Sequence, residues 1–312
     1  MNHRSILVIR RGAVGDTVVL LPVVRSLREC YPRAHLELAG NAERLALAVG
    51  PCGADRCTSL ELPGLQHCFF ADGGVSADMR AYFNRFDAVL AFLSDEDDAF
   101  RNNVTPWYRG TLRVTAPLPP PGVHAVDHLL DAVRLEGFRP GERVPRVEIG
   151  AADAAFAAEF WRRHGLGNAA VTAVHPGSGG RGKCWPPERF AAVIRGLAAS
   201  GRGILLVSGP ADGEHVRAVR DRTQGIPLLP AEFLPLGRLA ALLARCGSYL
   251  GNDSGISHLA AAAGAPSVVL FGPTDPAQWV PRGERVTALR APGGRLEALP
   301  AERVLAAMTS GS

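Results

Sequence analysis

The chain has 312 residues, 47% of them hydrophobic and 21% charged, which supplies two buried cores and excludes disorder as its main state. Lys and Arg number 34 against 30 Asp and Glu, and the net +4 is scattered along the sequence; this excludes a nucleic-acid binder built on massed basic charge, so any anionic partner must be met locally. The first apolar run, residues 6–9, is too short for a signal peptide, and the longest, residues 259–271, is broken by Gly264 and Pro266 and too short to cross a bilayer.

Short β-rich runs alternate with helical patterns in two stretches, the signature of parallel sheets with crossover helices. In the first stretch, residues 5–10 read as a strand, 17–30 as a helix with Pro22 in an early turn, 35–39 as the next strand and 87–93 as its continuation. Residues 105–123 carry Pro106, Pro117 and Pro119 to Pro121 and read as loop. Helices over 126–135 and 151–164 lead into the second stretch. There, 170–175, 203–208, 248–251 and 267–271 are strands, interleaved with helices over 187–199, 212–223, 236–245 and 254–263. A last helix covers 300–308.

The six cysteines, Cys30, Cys52, Cys57, Cys68, Cys184 and Cys246, include no C-x-x-C pair and read as reduced thiols in a cytoplasm. Cys52, Cys57 and Cys68 lie near His67, but their spacing fits no familiar zinc pattern, and no metal is expected.

Three segments carry chemistry. Residues 10–16, Arg-Arg-Gly-Ala-Val-Gly-Asp, join the first strand to the first helix. Gly12 and Gly15 permit close backbone approach, and the helix start offers free N–H groups to an anion. A dinucleotide fingerprint using Glu37 fails because the third glycine is missing. Asp16 reads either as a helix cap or as a carboxylate facing a cleft. Residues 175–186 follow a buried strand with four glycines, Ser178, Arg181 and Lys183, a donor-rich loop suited to phosphate and pinned by Trp185-Pro186. Residues 251–258 form a tight turn launching an alanine-rich helix, whose dipole end suits a diphosphate; Asp253 and Ser254 read equally as caps, and His258 as a half-buried histidine.

These motifs resemble glycosyltransferase family 9, the lipopolysaccharide heptosyltransferases: Arg10-x4-Gly15-Asp16 with Pro22, His175-Pro-Gly-Ser, Lys183-x-Trp185-Pro186, Asp253-Ser254-Gly255-x2-His258, and Gly272-Pro273-Thr274-Asp275-Pro276. The resemblance is strong in the second half and at residues 5–32, and weak over 55–165. It implies an α/β chain of GT-B fold, two Rossmann-like domains whose parallel sheets face each other across a cleft. The expected boundaries are 1–160 for an acceptor-side domain, 161–295 for a nucleotide-sugar domain, and 296–312 for a terminal helix packing back on the first domain. Rotation about the proline-rich stretch and the helices that follow it would close the cleft.

Carried over by position, the resemblance makes Asp16, beside Gly15, the catalytic base and Lys183 the lysine on the donor phosphate, with Ser178 touching the same phosphates. Asp253, Ser254, Gly255 and Ile256 fall on the diphosphate and sugar turn, with His258 after them. Leu234 lies where an apolar residue lines the nucleobase, and either Asp212 or Glu214 holds the ribose. The implied reaction is inverting, metal-independent sugar transfer with no cofactor beyond the nucleotide-sugar donor, ADP-heptose, and a glycolipid or glycan acceptor of the lipopolysaccharide core. The expected protein is a cytoplasmic monomer, at most peripheral at the inner face of the cytoplasmic membrane. A different nucleotide sugar, or nucleotide-sugar binding without turnover, are the alternatives. One departure stands out: the acidic block Ser94-Asp95-Glu96-Asp97-Asp98 is unlike a basic loop for a phosphorylated acceptor, and reads as a solvated helix start. Arg101, Arg109 and Arg113 face either an anionic sugar or solvent.

Overall fold

The computed structural model describes residues 4–61, 64–70, 74–210 and 212–310. The chain forms two compact units, Met1–Arg143 and Val144–Ser312. In the first, strands β1 (Ser5–Arg10), β2 (His35–Gly40), β3 (Arg56–Ser59), β4 (Ala88–Phe92) and β5 (Thr111–Thr115) make one sheet in the order β3-β2-β1-β4-β5. Every pairing is parallel. The strand ends that follow one another at one edge, Arg10, Gly40 and Phe92, are in register, so their loops gather at a single carboxyl edge.

Helices α1 (Val14–Cys30), α2 (Ala42–Leu45), α3 (Ala77–Phe83), α4 (Ala99–Val104) and α5 (Ala125–Ala132) supply the crossovers. The middle of α1 is buried on more than one side, through Val18, Leu20, Val23 and Leu27, and α1 packs on α5. It begins earlier than the sequence suggests, so Pro22 sits in its interior and not in an early turn, where it removes one backbone hydrogen bond. In a hydrophobic cluster of this unit, Leu7, Ile9 and Val89 pack with Phe83, Phe100 and Tyr108.

The second unit holds β6 (Val171–His175), β7 (Gly203–Ser208), β8 (Leu228–Glu232), β9 (Ser248–Asn252), β10 (Ser267–Phe271) and β11 (Val286–Arg290), in the order β11-β10-β9-β6-β7-β8, again all parallel. Its helices are α6 (Ala151–Arg163), α7 (Pro187–Ala199), α8 (Gly213–Arg222), α9 (Leu236–Arg245), α10 (Gly255–Ala262), α11 (Pro276–Trp279) and α12 (Ala301–Ser310). The strands β6, β9 and β10 are buried along their whole length, as parallel strands covered on both faces must be.

Three expectations are corrected here. The proline-bearing segment 105–123 is not all loop: β5 lies within it, in a stretch of threonine, valine and leucine clear of the prolines. The units divide at Arg143 and not at residue 160, because α6 packs on α9 of the second unit. Finally, α12 lies against α7 within the second unit's own core: Val304 and Met308 are buried there, and Gly196 of α7 leaves the space that Leu305 fills. Among the described residues no helix is long and apolar enough to cross a membrane.

Candidate active site

In the first unit the site residues stand on the turn between β1 and α1. Gly12 has φ +139, and a Cβ on it would run into the Asp16 carboxylate, so this turn requires glycine. Ala13 is the N-cap residue and has no side-chain oxygen; Asp16 reaches back instead, its Oδ2 accepting the Ala13 N–H at 2.8 Å. Its Oδ1 accepts from Arg10 Nη2 at 2.6 Å, while Arg10 Nη1 donates to the Pro117 carbonyl at 3.0 Å. Arg10 is buried and Asp16 is 25% exposed. Burial pulls the Arg10 guanidinium below its ordinary value, and the charge and hydrogen bond of Asp16 act against that. Asp16 is therefore both the cap and a carboxylate held in one orientation that still meets solvent. Gly15 is half-buried beside it in the first turn of α1.

Glu37 is excluded as a ligand to a ribose. It is fully buried and accepts from Thr58 Oγ1 at 2.5 Å and Tyr82 Oη at 2.7 Å. The acidic block is a helix start: Asp95 accepts from the Phe100 N–H at 2.7 Å and the Arg101 N–H at 3.3 Å, while Asp98 pairs with Arg101. Arg113 donates to the Arg134 carbonyl at 3.3 Å, and Arg109 is exposed. Cys52 is exposed, Cys57 donates to the Ala42 carbonyl, and Cys68 is buried, which pushes its thiol up to about 11. Among the described residues no three His, Cys, Asp or Glu side chains come together as metal ligands.

In the second unit, β6, β7 and β9 deliver their loops to one carboxyl edge. Lys183 Nζ lies 2.9 Å from Asp253 Oδ2, with the lysine 42% exposed and the aspartate buried. Ser178 Oγ donates to the Asp253 carbonyl at 2.8 Å. Both residues expected on donor phosphate thus converge on Asp253. The ammonium keeps further N–H donors for a ligand, whereas Ser178 must turn its hydroxyl to reach one. Ser254 caps α10, accepting from the Ser257 N–H at 3.4 Å. Ser254, Gly255 and Ile256 are half-buried between buried Asp253 and buried Ser257, so the positive end of α10 is accessible at these three residues. His258 is buried, one turn in. The Arg181 side chain lies outside the described part of the structure.

A pairing that sequence reasoning missed lies beneath this turn. His175 Nε2 is 2.8 Å from Asp212 Oδ2, which also accepts the Gly209 N–H at 3.0 Å. Burial acts to raise the Asp212 carboxyl, but the hydrogen bond and charge of His175 and the Gly209 N–H outweigh it and hold it below the usual range. His175 Nδ1 faces Ser254 Oγ at 3.4 Å, and a Cβ on Gly177 would overlap the Asp212 carboxylate. Asp212 is thus committed inward, while Glu214, in the first turn of α8, is exposed. Only the adjacency of β6 and β7 could have signalled the pair, since its members are 37 positions apart. Asn252 was also missed: its Nδ2 donates to the Pro176 carbonyl at 2.8 Å, and its Oδ1 accepts the Trp185 N–H at 3.0 Å. Leu234 is half-buried between β8 and α9.

Comparisons with known proteins bear on the family and the fold. Residues 107–305 match the model of glycosyltransferase family 9 (heptosyltransferase). Lipopolysaccharide heptosyltransferase 3 of Escherichia coli is 37% identical over 103 residues, 32% of this chain and 30% of that protein. Lipopolysaccharide heptosyltransferase 1 of Escherichia coli O18:K1:H7 is 34% identical over 123 residues, 39% and 37% of the two chains. The chain thus matches about a third of the length of these curated relatives. Among solved structures, a family 9 glycosyl transferase from Veillonella parvula aligns over 98% of this chain and 96% of its own, with TM-score 0.80 at 21% identity. Escherichia coli heptosyltransferase WaaC with ADP aligns over 99% and 100%, with TM-score 0.72 at 19% identity. Likeness at that identity establishes the fold, GT-B. The family model covers well over half of the sequence, and the chain belongs to glycosyltransferase family 9.

Proposed function

We propose that the chain is an inverting glycosyltransferase that moves a sugar, heptose from ADP-heptose, to a hydroxyl of a lipopolysaccharide-core or related cell-envelope glycan. The observation that carries this reading is the convergence of Lys183 and the accessible start of α10 at one carboxyl edge, a cation and a helix dipole suited to a diphosphate. The solved WaaC relative, which holds ADP, supports an adenine nucleotide in that role. Of the two carboxylates considered for the ribose, Glu214 takes the role, because Asp212 is buried against His175.

In the proposed reaction the acceptor oxygen attacks the anomeric carbon. Asp16 removes the hydroxyl proton, the bond from that carbon to the phosphate oxygen breaks, and its electron pair leaves with ADP. Attack opposite the leaving group inverts the configuration. Arg10 holds the Asp16 carboxylate in place, and general-base assistance of this kind is worth about two to four powers of ten. Lys183 and the amides at Ser254 to Ile256 stabilise the departing diphosphate by fixed charge and dipoles, so the reading requires no divalent ion. The enzyme would work as a cytoplasmic monomer, meeting a glycolipid acceptor at the inner face of the membrane; gel filtration and vesicle co-sedimentation test those two points.

Calorimetric titration with a panel of nucleotide sugars, followed by transfer assays with and without a chelator, tests the whole reading. Binding of ADP-sugars and chelator-insensitive transfer with an inverted product are expected. Binding restricted to uridine or guanosine sugars would overturn the donor, a retained configuration would overturn the mechanism, and binding without transfer would make the protein a nucleotide-sugar binder.

A further inference from the structure

β8 ends at Glu232 and α9 begins at Leu236. Between them Phe233 combines two unfavourable features: its φ is +50, and its side chain is 66% exposed. The left-handed region crowds any Cβ and is a real outlier for a bulky residue, and an exposed phenyl ring gains little from burial. Among the described residues the only other non-glycine in that region is Asp98, a residue type that adopts it readily. A glycine would form the Phe233 turn without strain. The fold gains nothing visible from phenylalanine here, and strain retained at such a position is a mark of function.

The location says which function. Ser208 pairs with Glu232 across β7 and β8, and the Phe233 N–H donates to the Ser208 carbonyl at 3.0 Å. Glu232 is itself held by an ion pair with Arg220 of α8. Phe233 is therefore fixed to the end of β7, from which the chain runs through Gly209 and Asp212 to Glu214, and it directly precedes Leu234. It stands at the carboxyl edge between the carboxylate proposed for the ribose and the residue expected at the base. An exposed aromatic face suits the flat, polarisable ring of a nucleobase, a contact that every base can make.

We propose that Phe233 is the stacking platform for the nucleobase of the donor, and that its left-handed backbone holds the ring clear of the sheet edge. This rests on the second unit being the nucleotide-sugar site. The test compares the wild type with Phe233→Gly, Phe233→Leu and Phe233→Trp by calorimetry with ADP, by inhibition with inorganic pyrophosphate and by thermal unfolding. Phe233→Gly should raise Tm through relief of strain, yet weaken ADP binding about 5- to 150-fold, the range for loss of one stacked base. Phe233→Leu should weaken ADP in the same direction without the gain in Tm, Phe233→Trp should bind ADP at least as well as the wild type, and pyrophosphate inhibition should be unchanged in all three. If the wild type binds no nucleotide, the nucleotide-sugar reading itself fails. If the wild type binds ADP and both Phe233→Gly and Phe233→Leu bind it equally well, the stacking role fails alone. A Tm that falls in Phe233→Gly overturns the argument from strain.

Discussion

Asp16 in the first unit and Asp212 in the second occupy comparable stations. Each lies just beyond the carboxyl end of a parallel strand and accepts from a backbone N–H three residues earlier, Ala13 or Gly209. Each also meets a basic side chain on the last residue of a central strand, Arg10 of β1 or His175 of β6. They differ in access to water: Asp16 is a quarter exposed, whereas Asp212 is buried. The same local design thus serves two ends. One paired carboxylate keeps a side open to solvent, and the other becomes part of the scaffold beneath the start of α10, where His175 Nδ1 faces Ser254 Oγ.

The contrast breaks if the roles can be exchanged. Asp16→Asn should lower turnover by about two to four powers of ten with nearly unchanged ADP affinity, measured by steady-state transfer and calorimetry; a near-normal rate would reduce Asp16 to a cap. His175→Ala, which strands the Asp212 carboxylate in a buried setting, should instead lower stability by about 3–5 kcal/mol in urea unfolding. The acid side of the stability profile sharpens the point. Because the folded state holds Asp212 below its ordinary range, the unfolded chain takes up a proton first as pH falls. The Asp212 contribution is therefore complete above the usual carboxylate range and is lost as pH drops through the depressed value, and His175→Ala should flatten that slope. Asp253 is an intermediate case, buried but paired with a half-exposed lysine. Lys183→Ala should weaken ADP binding by about 1.5–3 kcal/mol; unchanged affinity would remove Lys183 from the phosphate site. The smallest effect belongs to the acidic block, where Asp95→Ala should cost about 1 kcal/mol as a lost cap, and Glu96→Gln should stay within about 0.5 kcal/mol.

The pattern of what could be read from sequence has a physical cause. Strands β1, β6, β7 and β10 are mostly apolar because both faces are buried, and their limits are legible to within a residue. The four strands that escaped, β3, β5, β8 and β11, are the four sheet edges. Arg56, Arg113, Glu232 and Arg290 are exposed on them, and β8 carries Pro230, features that edges tolerate and central strands do not. The site divides in the same way. The turns at residues 10–16 and 251–258 are local in sequence and carry readable motifs. The contacts that arm them are not: Arg10 reaches Pro117, and His175 reaches Asp212, across strands that only folding makes neighbours. The division at Arg143 was missed for a related reason, since α6 finds its partner in α9, far along the chain.

Asn252 carries one more consequence. A single buried amide grips the loop after β6 at both ends, through Pro176 on one side and Trp185 on the other, while the Trp185 indole N–H donates to the Leu299 carbonyl. A glycine-rich loop left free would surrender much of its conformational freedom on closing around an anion, and that loss would be subtracted from the affinity. With its ends already anchored, the loop would meet the proposed diphosphate with most of that ordering completed during folding. In the proposed function, affinity at this edge would be set partly by a side chain that touches no ligand, and slow amide exchange at Trp185 in the unliganded protein would be its signature.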